Sequence, residues 1–210
     1  MSETNTIVEK NKERFCELLR GTERLGVENV LSSLERLGFF TAPASAKHHL
    51  AQEGGLLQHS LNVYDQAAGI AAVQRRLNPA IAKELPKESI VIVSLLHDVC
   101  KADIYVQTEK FRKDAQNKLE KYLAYEADYS RCPLGHGEKS VIRLLKMGLG
   151  ITSEEIIAIR WHMAGWDLAP SREANENFHI ACAKTPLLSV LIAADELATR
   201  ITEQENQDSK

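Results

Sequence analysis

The sequence lacks paired cysteines, long apolar runs and an excess of basic residues. Its four cysteines form no Cys-x-x-Cys motif, which argues against a thiolate zinc site and against a thioredoxin-type redox site. No apolar run reaches the ~18 residues that a membrane span needs, and the segment MSETNTIVEKNKERF has no apolar signal region. A net charge of −3 argues against a duplex nucleic-acid partner. We therefore expect a cytoplasmic protein with reduced thiols and no membrane contact.

Helical periodicity covers most of the 210 residues, which are enough for one domain with a substantial core. Apolar residues recur at helical spacing in segments 4–19, 27–37, 54–74, 87–102 and 137–147, and in segments that begin at 153 and 185. Only FFTA and IYVQ suggest short strands. The predicted fold class is therefore all-α, a single compact multi-helix domain. We expect residues 1–45 to form N-terminal helices on the core of residues 46–203, and residues 204–210 to form a disordered tail.

One strongly charged segment, residues 105–130, interrupts this pattern. Its charged residues include Lys110, Arg112, Lys113, Lys118, Glu120 and Lys121. We interpret the segment as an exposed charged helical insertion, in the form of a lid or a hairpin, that gates a pocket. A solvated pair of helices with no part in chemistry is the alternative, and the sequence does not decide between the two.

The stretch SIVIVSLLHDVCKAD places polar groups at one end of an apolar helix. Residues 90–96 are apolar on every side of the helix, which is typical of a buried helix. His97, Asp98 and Lys101 follow directly. Because a buried carboxylate without a cationic partner is costly, Asp98 needs such a partner.

Four further polar side chains lie on or beside apolar helix segments. Asp195 falls within LLSVLIAADELATRI, His59 within GGLLQHSLNV, His162 after IIAIRW, and His136 in the turn LGHG. Imidazole nitrogens and carboxylate oxygens together suit a divalent transition metal. Any one of these histidines alone is more typical of a hydrogen-bonded core residue, so the prediction of a metal site rests on the whole set.

Three motifs, in order along the chain, resemble those of the HD superfamily of metal-dependent phosphohydrolases. GGLLQHS resembles its first-histidine motif, LLHDVCK its His-Asp motif, and AADELAT its terminal aspartate helix. The resemblance spans residues 47–199 and implies an HD-type helical domain. It further implies one metal ion at His59, His97, Asp98 and Asp195, and a second at His136, His162 and the shared Asp98. The implied cofactor is Fe, Mn, Ni or Zn, as one or two ions.

The chain departs from parts of this superfamily. Cys100 stands where many members have glycine, and Met163 stands where one branch has a paired histidine. The GYP tripeptide of that branch, which cleaves cyclic dinucleotides, is missing. KHHLAQEGGLLQHS is also similar to a stretch of HD-type exoribonucleases. Those enzymes carry an additional nucleic-acid-binding domain before the HD core, whereas here the residues before this stretch, 1–46, are predicted to be helices. These departures argue against both activities and leave the number of metal ions open.

The resemblance implies that metal-activated water attacks the phosphorus of a phosphomonoester or phosphodiester. The expected substrate is a nucleotide or a related small phosphorylated molecule. Asp98 and Lys101 are the expected catalytic residues. The expected substrate-binding residues are Lys101, Lys139, Arg160, Trp166 and His49. For Lys101 the alternative is a side chain that extends out of a helix end, and for Trp166 a ring that closes the core.

Two other functions stay open at this point. One is a catalytically silent helical sensor that binds metal and nucleotide. The other is a metal-free helical interaction protein, in which case Asp195 could be replaced without loss of stability. A homodimer also stays open, because the N-terminal helices could pack on their own core or on a second copy.

Overall fold

Eight α-helices and one two-stranded sheet form the described part of the chain in the computed structural model, which covers residues 3–113, 117–130, 132–167 and 171–204. The helices are α1 (Glu3–Arg20), α2 (Val27–Leu37), α3 (Gly55–Leu77), α4 (Lys87–Leu96), α5 (His136–Lys146), α6 (Ser153–Trp161), α7 (Arg172–Lys184) and α8 (Pro186–Leu197). The strands are β1 (Tyr105–Lys113) and β2 (Leu119–Ala127). Among the described helices, none combines the length and the apolar composition that crossing a membrane requires.

Helices α3, α4, α6 and α8 pack against one another around the hydrophobic core. Every residue from 89 to 96 of α4 is buried, as the apolar pattern predicts. Leu57 of α3, Leu95 of α4 and Leu191 of α8 are each fully buried in this core. The all-α prediction is confirmed for the body of the protein.

The N-terminal helices pack on this body. Helix α1 contacts α2, α3 and α4, and α2 contacts the turn that follows α4. Phe15 of α1 meets Phe39 and Phe40, which follow α2, at ring-centroid distances of 5.4 and 5.5 Å. These aromatic contacts explain why FFTA forms a turn after α2 rather than the strand that its composition suggested.

The charged insertion is a β-hairpin, so the prediction of a helical insertion is wrong. Strands β1 and β2 pair antiparallel from Tyr105 opposite Ala127 to Lys113 opposite Leu119. Aromatic and β-branched residues, which favour strands, occur along both segments: Tyr105, Val106, Thr108 and Phe111 in β1, and Tyr122 and Tyr125 in β2. The charged side chains form ion pairs between the two strands, such as the 2.6 Å contact between Lys110 Nζ and a carboxylate oxygen of Glu126.

Two further predictions about the elements need correction. The helix expected over residues 87–102 ends at Leu96, and a 3₁₀ turn covers Val99–Asp103. Helix α7 was not predicted, because only Ala181 of its residues is buried and its apolar stripe is correspondingly weak. The tail predicted at 204–210 lies outside the described residues, except for the exposed Gln204.

Candidate metal centre

Six side chains from five helices meet in one cluster. His59 lies on α3, His97 and Asp98 directly after α4, His136 at the start of α5, His162 directly after α6, and Asp195 on α8. These are the six residues that the sequence singled out as metal ligands. All except His136 and Asp195 are fully buried.

The carboxylate of Asp98 lies at the centre of this cluster, with a pair of imidazoles on each of its oxygens. Oδ2 lies 3.4 Å from His97 Nε2 and 3.6 Å from His59 Nε2. Oδ1 lies 2.9 Å from His136 Nε2 and 3.5 Å from His162 Nε2. One carboxylate therefore joins two groups of nitrogen donors.

Backbone contacts orient two of the imidazoles. Nδ1 of His97 lies 2.9 Å from the carbonyl oxygen of Ser94, and Nδ1 of His162 lies 2.7 Å from that of Ile159. A carbonyl can only accept, so Nδ1 carries the proton in both rings and Nε2 faces the cluster. Both Nε2 atoms are buried without a hydrogen-bond partner among the described residues. Burial lowers the pKa of His162, which favours the neutral, metal-binding form.

A second carboxylate completes the donor set on the α3 side. Asp195 Oδ1 lies 3.3 Å from His59 Nε2, at the contact between α3 and α8. The hydroxyl of Thr199, in the turn that follows α8, lies 3.4 Å from the same oxygen. The inward direction predicted for Asp195 from its apolar helical neighbours is therefore observed.

The close crossing of α5 and α6 brings the other two histidines together. A Cβ atom on Gly137 would lie 2.3 Å from the carbonyl oxygen of Arg160 and 2.5 Å from that of Ile159. Only glycine permits this approach. Since His136 precedes Gly137 and His162 follows α6, the crossing places both imidazoles on the same oxygen of Asp98.

An ion pair dominates the electrostatics at the centre. Lys101 Nζ lies 2.6 Å from Asp98 Oδ2. Burial alone would raise the pKa of Asp98, but Lys101 and the surrounding histidines outweigh it and hold this pKa well below its usual range. Burial likewise disfavours the charged form of Lys101, and Asp98 more than offsets that effect and raises the pKa of the ammonium.

Two histidines gain basicity from their carboxylate neighbours. Burial by itself would lower the pKa of His59, but hydrogen bonds to Asp195 and Glu203 raise it to about 9. Burial would also lower the pKa of His136, but the hydrogen bond to Asp98 is the main contact that raises it, to about 10. In the metal-free protein both rings are therefore protonated at neutral pH.

Lys139 is a buried cation beside the cluster. It lies one turn after His136 on α5 and is 3% exposed. Its ammonium lies 5.7 Å from the ring centroid of Tyr129, and no carboxylate among the described residues forms an ion pair with it. A buried ammonium without a carboxylate partner is suited to an anionic ligand.

Arg160 and Trp166 were also predicted to contact substrate. A guanidinium nitrogen of Arg160 lies 2.7 Å from Glu138 and another lies 3.6 Å from Asp167, and the guanidinium stacks 4.2 Å from the ring centroid of Trp161. Its charge is thus already matched by carboxylates. Trp166 is 79% exposed in a short 3₁₀ turn, so it does not close the core.

His49 and its neighbours form a layer behind His59. The two rings lie 5.2 Å apart, and His49 Nε2 is buried 3.9 Å from Glu203 without a hydrogen-bond partner among the described residues. Glu203 also accepts a 2.9 Å hydrogen bond from the amide of Asn62. No sequence pattern pointed to Glu203 or Asn62, because neither belongs to a motif and Glu203 follows the last apolar residue of the chain.

The cluster and the side chains around it contain four sets of residues whose donor atoms lie close enough to hold a metal ion. In each of the following sets the donor atoms are all within 4.8 Å of one another: His49, His59 and Glu203; His59, His97 and Asp195; His97, Asp98 and His162; Asp98, Cys100 and His136. Comparison of the chain with protein-family models, curated proteins and solved structures found no match. The evidence that this site could hold a metal ion is therefore the geometry of its buried histidine and aspartate side chains.

Proposed function

We propose that the protein is a metal-dependent phosphohydrolase of the HD type that acts on a nucleotide or a related small phosphoester. The observation that carries the proposal is the buried carboxylate of Asp98 with two imidazole nitrogens facing each of its oxygens. The order of the three sequence motifs supports the same assignment.

The donor set fits a divalent transition metal. The buried, unpartnered Nε2 atoms of His97 and His162 are costly in a protein interior unless they bind something. Binding of a metal by these nitrogens would relieve both. Four imidazoles and two carboxylates are ligands that suit Fe, Mn, Ni or Zn, and the proposal covers one or two ions.

The chain's own cations would bind the phosphoryl group. A bound divalent ion lowers the pKa of water and offsets negative charge on phosphate oxygens. Lys101 Nζ lies 2.6 Å from Asp98 Oδ2, and its ammonium would be available to contact a phosphate oxygen if Asp98 bound a metal. Lys139 supplies a second positive charge that no described carboxylate neutralises. Both contacts strengthen as charge builds up on the phosphoryl oxygens.

Trp166 is the residue that would favour a nucleotide over a simple phosphate. Its exposed indole, four residues after His162, is available to stack on a base. His49 would lie on the other side of the cluster, near His59. The guanidinium of Arg160 already pairs with Glu138 and Asp167, so Arg160 would contribute to the site mainly by positioning these two residues.

Metal analysis and turnover measured on the same preparation test the proposal. The freshly purified protein is assayed for bound transition metals, then for hydrolysis of an aryl phosphomonoester, an aryl phosphodiester and a panel of nucleotides with added Mn, Fe, Ni or Zn. We expect bound metal and turnover, and loss of both in Asp98→Asn. Asp65→Asn, which removes an exposed ion pair with Arg14 on the same body, is the matched control.

Each other result points to a different function. No bound metal together with no turnover after metal addition would refute the phosphohydrolase. Metal binding and a melting shift with nucleotides, without product, would instead favour the catalytically silent sensor.

A further inference from the structure

Glu203 is a buried carboxylate on the side of His59 that faces away from Asp98. Its side chain is 1% exposed, and its two oxygens lie 3.0 and 3.2 Å from His59 Nδ1. The amide of Asn62, one turn along α3 from His59, donates to the same carboxylate at 2.9 Å. Both ring nitrogens of His59 are thus engaged, Nδ1 by Glu203 and Nε2 by the cluster.

A wide helical turn aims Glu203 at this position. Residues Ala198–Thr202 form a π-turn, closed by a 2.9 Å bond from the amide of Glu203 to the carbonyl of Ala198. Glu203 lies eight residues after Asp195, which in an α-helix would place it about 80° away around the axis. A π-turn takes up one additional residue and reduces this offset to about 20°. Glu203 and Asp195 therefore both reach His59 from one face of α8 and its extension.

We infer that Glu203 is a positioning residue that accepts the Nδ1 proton of His59 and so directs the Nε2 lone pair toward the metal-binding cluster. Metal-bound histidines commonly donate their second ring N–H to a carboxylate, which fixes the ring and increases its basicity as a ligand. Asn62 holds the carboxylate in turn. The part of this inference that concerns metal affinity rests on the proposed function.

The contact with Glu203 differs from those of the other oriented histidines. His97 and His162 donate Nδ1–H to neutral carbonyls of their own helices, whereas His59 donates to a carboxylate from a different helix. A bond to a charged acceptor is about twice as strong as a neutral one. The ring of His59 is accordingly oriented by tertiary structure, because the acceptor of its Nδ1–H comes from outside α3.

Three variants test the inference: Glu203→Ala, Glu203→Gln and, as the matched control, Glu196→Gln, which removes an exposed ion pair on the same helix. The first measurement is the nitrogen-15 and proton NMR signal of His59 Nδ1–H in metal-free protein, assigned by its absence in His59→Asn. The second is the dissociation constant for zinc. We expect Glu203→Ala to lose the protected Nδ1–H signal and to bind zinc about 10- to 100-fold more weakly.

Glu203→Gln should retain the signal and recover most of the zinc affinity, because its amide oxygen accepts the same proton. Glu196→Gln should match the wild type in both measurements. Persistence of the signal in Glu203→Ala, unchanged zinc affinity, or equal losses in the alanine and glutamine variants would overturn the inference. If the wild type binds no zinc, the proposed metal centre fails, and the Nδ1–H signal alone then decides the role of Glu203.

Discussion

Lys101 and Asp98 form a buried ion pair, with Lys101 Nζ 2.6 Å from Asp98 Oδ2. The same oxygen faces the Nε2 atoms of His59 and His97. In the metal-free protein the ammonium therefore compensates this carboxylate together with the charged ring of His136, which lies 2.9 Å from the other oxygen, and a metal ion must compete with both. Asp98 and Lys101 both lie in the turn that follows α4, so one short segment supplies the carboxylate and an ammonium that pairs with it.

Replacing Lys101 with methionine should separate metal binding from turnover. Without the competing ammonium, zinc affinity should stay equal or increase. Phosphoester turnover should fall by about 10²- to 10³-fold, the usual cost of removing one group that stabilises transition-state charge. Zinc titration and steady-state kinetics on the same variant measure both quantities.

Lys12→Met, which removes an ion pair with Glu35 near the surface, serves as the control for this substitution. A loss of zinc affinity in Lys101→Met would show that the lysine supports the metal site rather than competing with the ion. Unchanged turnover would exclude its contact with phosphate.

Asp195→Asn should abolish the stabilisation that zinc confers. Wild-type protein at a zinc concentration of 100 times its dissociation constant should gain about 2.7 kcal/mol in the free energy of unfolding. The variant should gain little, because the carboxylate 3.3 Å from His59 is lost. Thermal unfolding with zinc and with a chelator measures the difference. Absence of a zinc response in both proteins, with the variant at least as stable as the wild type in the chelator, would favour the metal-free interaction protein.

The centre of the site was predictable because its residues violate a strong pattern. Residues 90–96 are apolar on all sides, so a carboxylate at 98 has to be buried and therefore has to have a partner. Asp195 is recognisable in the same way within its apolar helix. A buried charge is rare enough that each such residue is informative in a single sequence.

The β-hairpin and the position of Glu203 were not predictable from the sequence, for physical reasons that the structure identifies. The hairpin is rich in charged residues, and the ion pairs that organise them, such as Arg112 with Glu120, form only once the strands are paired. Glu203 follows the apolar part of α8, and a local π-turn is what returns it to the site. Such contacts depend on tertiary packing, which local periodicity does not encode.

Gly137→Ala should destabilise the protein and weaken metal binding. The added Cβ would lie 2.3 Å from a backbone carbonyl oxygen of α6, so α5 and α6 must move apart at a cost of about 1–3 kcal/mol. His136 and His162 would then separate. Urea unfolding and zinc titration measure the two effects.

Gly69→Ala is the matched control for that substitution, because a Cβ there would meet no atom within 4 Å. It should stabilise α3 by about 0.5–1 kcal/mol, the usual difference between glycine and alanine within a helix. Equal effects of the two alanines would contradict the close crossing of α5 and α6.

Zinc binding should release protons. Hydrogen bonds to carboxylates outweigh burial and raise the pKa values of His59 and His136 to about 9 and about 10, so both rings are charged in metal-free protein at pH 7. A metal binds only the neutral form of the facing nitrogen, so binding must displace these protons. Apparent zinc affinity should therefore increase as the pH is raised from 6 to 9. Titration calorimetry in two buffers of different ionisation enthalpy counts the protons.

The stability of the metal-free protein should show the opposite trend. A folded-state pKa above the unfolded value of about 6.5 means that the histidine contribution is complete below that pH and is lost as the pH rises toward 9–10. Chelator-treated protein should thus become less stable over this range, while zinc-loaded protein should not. Calorimetric enthalpies that are independent of the buffer would contradict the charged state of both imidazoles, and with it the balance of burial and carboxylate contacts that produces it.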